Sequence, residues 1–254
     1  MTIGMKLYPE RGLLTWTTQR LPFNLYCKYR FVSESEVLAT AFVAEHSTIP
    51  VPRILDVVDG VTDDGLFVLM TQVPGVQVGK AYTDMDERAR ELMKEELCGW
   101  MNQLRSLPVP PSLTISNFLG GPCKVDRIAS SGPIGPFSTV EEAHELILSH
   151  VVGDERDQVL ETARRRSYSK RHRICFTHGD LRPWNVLVKD GRLSGLVDFG
   201  SSGWYPEYWE HATATWGVPQ WWRDAIMHGF PQYQEEIEVE DIIFSVDSTH
   251  PEMW

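Results

Sequence analysis

The residues of this chain that could do chemistry are concentrated in two short stretches. Residues 178–185 read His-Gly-Asp-Leu-Arg-Pro-Trp-Asn, and residues 197–200 read Val-Asp-Phe-Gly. Asp180, Asn185 and Asp198 together supply two carboxylates and an amide oxygen, which are groups that take protons and bind Mg²⁺. Such a set is suited to phosphoryl transfer, where a metal neutralises the phosphates and a carboxylate positions the attacking hydroxyl.

A predicted hairpin brings these residues to one place. Residues 186–189 and 193–197 both favour strand, and the Asp-Gly pair at 190–191 between them is a strong signal for a tight turn. The hairpin folds Asp198 back beside Asn185, so that both lie at the mouth of the same loop. The prediction of a phosphoryl-transfer site rests on the two motifs and the hairpin together, because neither motif alone would be strong evidence.

Each polar residue of the loop receives a predicted role. Asp180 is the expected catalytic base, and Asn185 and Asp198 are the expected Mg²⁺ ligands. Arg182 lies in the same loop and is a candidate for steadying the transferred group or the substrate. His178 has no second His or Cys at ligand spacing, so it is not expected to bind a metal.

This stretch resembles the catalytic loop of the aminoglycoside phosphotransferase and choline kinase-like family, within the protein-kinase-like fold. The family carries the His-Gly-Asp of residues 178–180, and residues 203–210 are similar to its fungal-type members. The resemblance runs from about Lys28 to the C-terminus. It implies an α+β, two-lobed fold with a small antiparallel-sheet N-lobe (residues 1–75) and a larger, mostly helical C-lobe (residues 76–254). It also implies ATP-dependent phosphorylation of a small-molecule hydroxyl, with His178 supporting the loop.

The resemblance also assigns a nucleotide-binding ion pair. Lys28, on a strand predicted over residues 21–32, would reach the phosphates and pair with Glu36, on a helix predicted over residues 33–45. An alternative stays open for each residue. Lys28 could be an ordinary outward-facing strand lysine, and Glu36 could instead close a capping box with Ser33.

The link between the lobes is predicted from two further strands. Residues 53–58 and 66–72 favour strand, and the second is followed by Pro-Gly. In the family, backbone groups of a segment such as Thr71, Gln72 and Val73 meet the adenine ring. A plain connector is the alternative interpretation of this segment.

One expected feature is missing from the sequence. Only Gly4 and Gly12 precede Lys28, and no G-x-G-x-x-G run occurs anywhere in the chain. A short loop around residues 10–18 could cover the phosphates through its backbone, or the cover could be reduced. This departure motivates a second hypothesis, a catalytically silent kinase-like protein that binds a ligand or a partner.

The acceptor site is expected in the part of the chain that follows Asp198. This region is unusually rich in aromatic residues and carries interspersed acids, of which Glu207, Glu210 and Asp224 are candidate substrate ligands together with Arg182. Aromatic faces and carboxylates would suit an amine-bearing acceptor. Most of the aromatic residues are expected to pack the core of the lobe instead.

Composition narrows the class of protein. The 254 residues are 42% hydrophobic, and 24 Lys and Arg against 35 Asp and Glu give a net charge of −11, which argues against a nucleic-acid partner. No apolar run reaches membrane-spanning length, and the N-terminus lacks a targeting pattern. The four cysteines show no paired spacing and read as reduced thiols, so we expect a soluble cytoplasmic protein. Nothing in the sequence indicates an oligomeric state.

Overall fold

The computed structural model describes residues 17–59, 65–111, 114–125 and 132–245. Within these ranges the strands are β1 (Thr18–Leu21), β2 (Leu25–Lys28), β3 (Ile54–Asp59), β4 (Leu66–Thr71), β5 (Val76–Gln77), β6 (Ser116–Asn117), β7 (Ile174–Thr177), β8 (Val186–Lys189), β9 (Arg192–Leu196) and β10 (Gly203–Pro206). The α-helices are α1 (Glu34–His46), α2 (Val78–Ala81), α3 (Glu87–Arg105), α4 (Val140–Ser149), α5 (Arg156–Ala163), α6 (Trp209–Ala214), α7 (Gln220–Met227) and α8 (Gln234–Ser245). Short 3₁₀ turns cover Tyr82–Asp84 and Pro231–Tyr233.

The N-lobe is an antiparallel sheet with the strand order β1-β2-β4-β3. The continuous strand predicted over residues 21–32 was wrong: β1 ends at Leu21, a turn covers residues 22–24, and β2 ends at Lys28. Phe23 and Asn24 adopt left-handed backbone angles there, with φ of 66° and 58°. Asn tolerates this conformation better than most residues, so the turn has a local cause that the hydrophobic pattern does not reveal.

Helix α1 joins the small sheet to the larger lobe. Ser33 caps its N-terminus, since Ser33 Oγ accepts a hydrogen bond from the Glu36 amide at 3.2 Å. Further along the helix, the Phe42 ring lies 6.0 Å from that of Phe176 and 6.2 Å from that of Trp204, both of which belong to C-lobe strands. The helix that carries Glu36 is therefore anchored on the C-lobe.

The C-lobe core is built around α3. Its apolar residues recur at helical spacing, and Met93, Leu97, Met101 and Leu104 are all buried to 2% exposure or less. Each such side chain contributes about 1.5–3 kcal/mol relative to an exposed one. Asp86 begins the helix by accepting from the Ala89 amide at 2.8 Å. This helix packs beside β7 and β9, and it thereby supports the strands that carry the polar loop.

Two small antiparallel sheets present the chemically interesting residues. One has the order β6-β10-β7 and the other β5-β8-β9, so the chain enters the C-lobe sheet system at Val76. The predicted hairpin is confirmed: Asp190 and Gly191 form its turn with φ of 52° and 74°. At its open end the Val197 amide donates to the Asn185 carbonyl at 2.9 Å, which fixes residue 198 beside residue 185.

Ion pairs hold the last helix against the rest of the lobe. Arg166 bonds Glu235 and Glu238 at 3.1 and 2.7 Å, and Lys170 bonds Glu235 and Glu236 at 2.7 and 2.8 Å. Arg166 and Lys170 therefore neutralise the acidic residues on the face of α8 that they contact. None of the helices in the described ranges has the length and apolar character needed to cross a bilayer.

Candidate active site

The polar loop begins with a glycine that no other residue could replace without strain. Gly179 has φ of +81°, and a Cβ atom built on it would lie 2.3 Å from the carbonyl oxygen of Ser201. Glu210 of α6 binds the backbone of the same segment through its carboxylate. Its carboxylate accepts from the amides of His178 and Gly179 at 2.6 and 3.1 Å, so the loop has a fixed path before it reaches Asp180.

Asp180 and Asn185 are in direct contact. Asn185 Nδ2 donates to the Asp180 carbonyl at 2.8 Å and to Asp180 Oδ2 at 2.7 Å. Because the amide nitrogen makes both bonds, the amide oxygen of Asn185 is the atom left to bind a cation. The Asp180 side chain keeps 21% exposure, and its Oδ1 lies 3.4 Å from Arg182 Nε. The carboxylate is thus oriented by two neighbours while part of it still faces solvent.

His178 lies beneath the loop and is fully buried. Its Nε2 lies 3.1 Å from the Val197 carbonyl and its Nδ1 lies 3.3 Å from the Asp180 amide. These partners require a neutral ring with the proton on Nε2, and burial lowers the pKa of His178, which favours the same form. The ring also meets Phe199 edge-on at 4.7 Å. This geometry suits the supporting role that the resemblance implied.

Lys28 joins the two lobes through two carboxylates. Its Nζ lies 2.6 Å from Glu36 Oε1 and 2.8 Å from Asp198 Oδ1. Burial by itself would lower the pKa of Lys28, but the two acids outweigh it and raise that pKa. Burial would also raise the pKa of Asp198, but Lys28 outweighs that effect and lowers it. For Glu36 burial prevails and the pKa is raised despite Lys28. Lys28 and Asp198 are therefore both charged at neutral pH.

The geometry excludes both alternative interpretations, an outward-facing Lys28 and a capping box closed by the Glu36 side chain. Lys28 does not face outward, since its side chain is only 12% exposed. Glu36 gives its backbone amide to Ser33 and its carboxylate to Lys28, so the cap is made by Ser33 without a reciprocal bond from the Glu36 side chain. Glu36 Oε2 is buried and has no hydrogen-bond partner among the described residues.

A cavity of about 780 Å³ lies between the lobes and receives most of the predicted nucleotide-site residues. The predicted nucleotide-binding and metal-binding residues that line this cavity are Lys28, Glu36, Thr71, Gln72, Val73, Asn185 and Asp198. Residues 71–73 form the link between the lobes, which we call the hinge. There the Gln72 amide donates to the Asn24 carbonyl at 2.8 Å. Thr71 Oγ1 accepts from the Arg53 amide at 2.9 Å, so the hinge backbone is held from both sides. A cavity of this size can enclose a nucleotide.

The donor set in the cleft fits Mg²⁺. Asn185 and Asp198 offer an amide oxygen and a carboxylate, which are hard ligands of the kind this ion takes. In the part of the chain that the structure describes, no group of three or more His, Cys, Asp or Glu could hold a metal by itself. A divalent ion would therefore need oxygen atoms from a phosphate or from water to complete its coordination.

The four predicted acceptor ligands are not brought together. Glu210 is 5% exposed and both its oxygens hold the loop backbone, so it does not face the cleft. Glu207 follows β10 at the end opposite to His178, where it bonds Arg173 at 2.9 Å. Asp224 is exposed on α7 and accepts from Gln220 at 2.8 Å. Of the four, only Arg182 lies beside Asp180. The sequence positions of the three acids reveal neither their burial nor their place in the sheet, which is why they were grouped together.

Trp184 is the clearest residue that sequence reasoning missed. It lies within the motif between Asp180 and Asn185, lines the interlobe cavity and is 42% exposed. Its type and its place between Asp180 and Asn185 are the signal in the sequence, since an aromatic ring beside a cleft can stack on a bound ligand. Most of the loop expected around residues 10–18 lies outside the described residues, so the structure adds nothing about a cover for the phosphates.

Comparison with known proteins identifies the family of this chain. The profile of the phosphotransferase enzyme family matches residues 32–242, and the chain belongs to this family. That family places it among the small-molecule kinases. Among curated proteins, an aminoglycoside 3'-phosphotransferase of Enterococcus faecalis is 50% identical over 36 residues. That match spans 13% of this chain and 14% of the relative, so it concerns one local stretch.

Solved structures show the same two-lobed, kinase-like fold. A ternary complex of aminoglycoside phosphotransferase APH(4)-Ia with ADP and hygromycin B superposes with a TM-score of 0.66 at 10% identity, over 96% of this chain and 88% of that one. A GDP complex of aminoglycoside 2'-phosphotransferase-IIIa gives 0.65 at 16% identity, over 98% and 88%. A streptomycin-ATP complex of APH(2")-IIa gives 0.62 at 16% identity, over 91% and 80%. At these identities the likeness establishes the fold.

Proposed function

We propose that this protein is an ATP-dependent phosphotransferase that moves the γ-phosphate to a hydroxyl of a small molecule. One observation carries the proposal. Two oxygen ligands for a cation and a buried lysine line a single interlobe cleft large enough for a nucleotide, and the candidate base Asp180 contacts one of those ligands, Asn185. Phosphoryl transfer needs these parts and little else, because the protein contributes mainly positioning and charge.

Asp180 is the residue that receives the proton of the attacking hydroxyl. Asn185 Nδ2 bonds one of its oxygens at 2.7 Å, and Arg182 Nε lies 3.4 Å from the other, so the carboxylate has a fixed orientation. Holding the base in a reactive geometry removes much of the entropic cost of the step. Mg²⁺, when bound by Asn185 and Asp198, would neutralise charge on the phosphates.

The nucleotide would occupy the cavity between the hinge and the lysine. Lys28 reaches the phosphates, Glu36 keeps Lys28 in place, and the backbone of residues 71–73 meets the adenine ring. The structures similar to this chain include complexes with ATP, ADP and GDP, which supports a nucleotide in this cleft. Their aminoglycosides, among them streptomycin and hygromycin B, support a small-molecule acceptor.

We also place the protein in the cytoplasm, without a nucleic-acid or membrane partner. All four cysteines are free thiols, and burial raises the pKa of Cys123 and of Cys175 to about 11. Such thiols are typical of a reducing compartment. The net charge of −11 disfavours binding to a phosphate backbone.

A thermal-shift experiment with Mg²⁺ and ATP tests the nucleotide site. ATP at a hundredfold its Kd adds about 2.7 kcal/mol of stability. For a chain of this size the midpoint should rise by several degrees, at about 2–4 °C per kcal/mol. We expect the metal-dependent part of the shift to vanish in Asp198→Ala and to persist in Asp157→Ala, a control whose side chain is 98% exposed.

The second arm tests transfer. Asp180→Asn should keep the Mg²⁺-ATP shift and lose phosphoryl transfer, because only the proton acceptor is removed. Near-normal turnover in Asp180→Asn would refute the assignment of the base. A wild-type protein with no shift in the presence of metal and ATP would instead favour the silent, kinase-like binding protein.

A further inference from the structure

The face of the N-lobe sheet that lines the interlobe cavity carries its side chains in two rows. Because alternate residues of a strand point to the same face, the register between strands decides which side chains share a row. The first row contains Lys28 with its cross-strand partners Thr18 and Val68. The second row, two residues further along each strand, contains Arg20, Tyr26, Met70 and Ile54. The residues of both rows line the cavity.

The two rows lie over different parts of the cavity. Lys28 of the first row binds Asp198, a proposed metal ligand, so this row marks the phosphate end of the nucleotide site. In the second row, Met70 directly precedes Thr71, the first residue of the hinge. The rows are about 7 Å apart, because each residue advances a strand by 3.2–3.4 Å. The second row therefore lies over the place where a base would meet the hinge.

The C-lobe side of the same part of the cavity is formed by an apolar residue. Leu187 of β8 lines the cavity and pairs with Gln77, which follows the hinge by four residues. On the neighbouring strand Leu187 pairs with Gly195, and a Cβ built on Gly195 would clash with the side chain of Val73 in the hinge. A flat ring at the hinge would therefore lie between Leu187 and the second row.

Arg20 is the charged member of the second row. It lies on β1, directly opposite Tyr26 of β2, and it is half-buried. A guanidinium is planar and stacks on aromatic faces, where its positive charge meets the negative face of the ring. The acids that the structure places along the cavity, Glu36 and Asp198, both bind Lys28 at the other end. Register thus places Arg20 at the base end of the cavity, away from the phosphate end.

We propose that Arg20 is a nucleotide-binding residue whose guanidinium stacks on the base of ATP from the N-lobe side. Leu187 supports the opposite face of the base, and the hinge backbone meets its edge. Every purine offers such a face, so Arg20 strengthens binding without reading the hydrogen-bonding edge of the base. This inference rests on the proposed function and adds a residue to its nucleotide site.

Three ligands separate stacking from the other roles that Arg20 could have. Mg²⁺-ATP carries the base and the phosphates, and adenosine lacks the phosphates. Mg²⁺-ITP carries a purine whose hydrogen-bonding edge is reversed relative to adenine, with a carbonyl oxygen and an N–H group in place of the amino group and the bare nitrogen. The Kd of each is measured by displacement of the fluorescent nucleotide mant-ATP. We expect Arg20→Leu to raise all three Kd values by about five- to twentyfold.

Two further variants separate the planar shape of the side chain from its charge. Arg20→Phe keeps a flat group without the charge, and its Kd for adenosine should lie within about threefold of the wild-type value. Arg20→Lys keeps the charge without the plane, and it should bind adenosine at least about threefold more weakly than Arg20→Phe. The control is Arg30→Leu, which changes an exposed arginine of the same lobe and should leave every Kd within about twofold. The thermal midpoint without ligand reports whether each variant is folded.

Several outcomes would overturn the proposal. A loss confined to the two triphosphates, or recovery by Arg20→Lys in place of Arg20→Phe, would show that Arg20 attracts phosphates by its charge. A loss confined to Mg²⁺-ATP and adenosine would show that it reads the edge of adenine. Unchanged Kd values in Arg20→Leu would remove it from the site and leave the phosphotransferase intact. A wild-type protein that binds neither mant-ATP nor Mg²⁺-ATP would refute the proposed function, and this inference with it.

Discussion

At the scale of single residues, the loop at residues 178–185 depends on a position where any side chain larger than that of glycine would clash. Gly179 is the clearest case, because its positive φ and its contact with Ser201 each exclude a side chain. The His-Gly-Asp pattern therefore has a structural reason for its middle residue as well as a chemical one for its last. A β-carbon there would have to move the backbone that carries Asp180.

We expect Gly179→Ala to destabilise the protein more than the same change at an unobstructed glycine. Gly120 is the matched control, since its φ is +82° and a Cβ built on it would meet nothing within 4 Å. Gly120→Ala should cost about 1–2 kcal/mol through its backbone angle alone. Gly179→Ala should cost at least about 1 kcal/mol more, because the clash is with a backbone atom. Urea unfolding measures both, and equal costs would contradict the clash.

At the scale of secondary-structure elements, α6 acts as the base on which the loop rests. Glu210 lies in the first turn of this short helix, and its two oxygens accept from consecutive backbone amides. Burial raises the pKa of Glu210, so the site needs those two amides to keep the carboxylate charged. In the function proposed above, the helix would act on catalysis through the path of the loop, with Glu210 as a positioning residue.

Replacing Glu210 with Gln should damage turnover more than nucleotide binding. One carboxylate oxygen becomes an NH₂ group that faces an amide donor, which should cost about 1–3 kcal/mol of stability. We expect kcat to fall while the Mg²⁺-ATP shift persists, since Lys28 and Asp198 are untouched. Glu207→Gln is the control, because its ion pair with Arg173 lies at the other end of the strand. Comparable kcat in the two variants would exclude a positioning role for Glu210.

At the scale of the whole molecule, Lys28 couples the two lobes. It lies on an N-lobe strand and bonds Asp198 of the C-lobe, while Glu36 comes from a helix anchored on the C-lobe through Phe42. With 12% exposure for Lys28 and 9% for Glu36, solvent screens this pair only weakly. Loss of the lysine would leave Glu36 buried without its cation.

We expect Lys28→Met to lower the free energy of unfolding by about 3–5 kcal/mol at pH 7. The double variant Lys28→Met/Glu36→Gln should recover most of this loss and still fail to show the Mg²⁺-ATP shift. The pKa of Glu36 is raised by burial, so the folded state binds more protons than the unfolded state. The deficit of Lys28→Met should therefore shrink as the pH falls towards 5 and return as it rises.

Urea unfolding across this pH range, followed by thermal shift, checks the prediction. A double variant that still responds to Mg²⁺-ATP would remove Lys28 from the nucleotide site. A single variant as stable as the double one would show that the buried Glu36 carboxylate costs nothing when it loses its cation.

The sequence by itself determined the parts that depend on local chemistry. The Asp-Gly turn, the apolar stripe of α3 and the order Asp180, Asn185, Asp198 can be read from residue types and spacing, because turns and amphipathic helices depend on residues only about two to four positions apart in the chain. The kinase-like fold and the small-molecule kinase class were predicted from the resemblance of residues 178–185 and 203–210 to a known family, and both predictions are confirmed. The turn at residues 22–24, between β1 and β2, was missed, since left-handed backbone angles interrupt an otherwise strand-like pattern there.

Only the tertiary structure decided which acids face the cleft. Glu207, Glu210 and Asp224 look alike in the sequence, yet one pairs at a distant strand end, one supports the loop and one stays in solvent. The same holds for Lys28 between its two carboxylates and for Arg182 between two tryptophans. Burial and charge pairing depend on contacts between residues far apart in the chain, and those contacts are fixed by packing rather than by spacing.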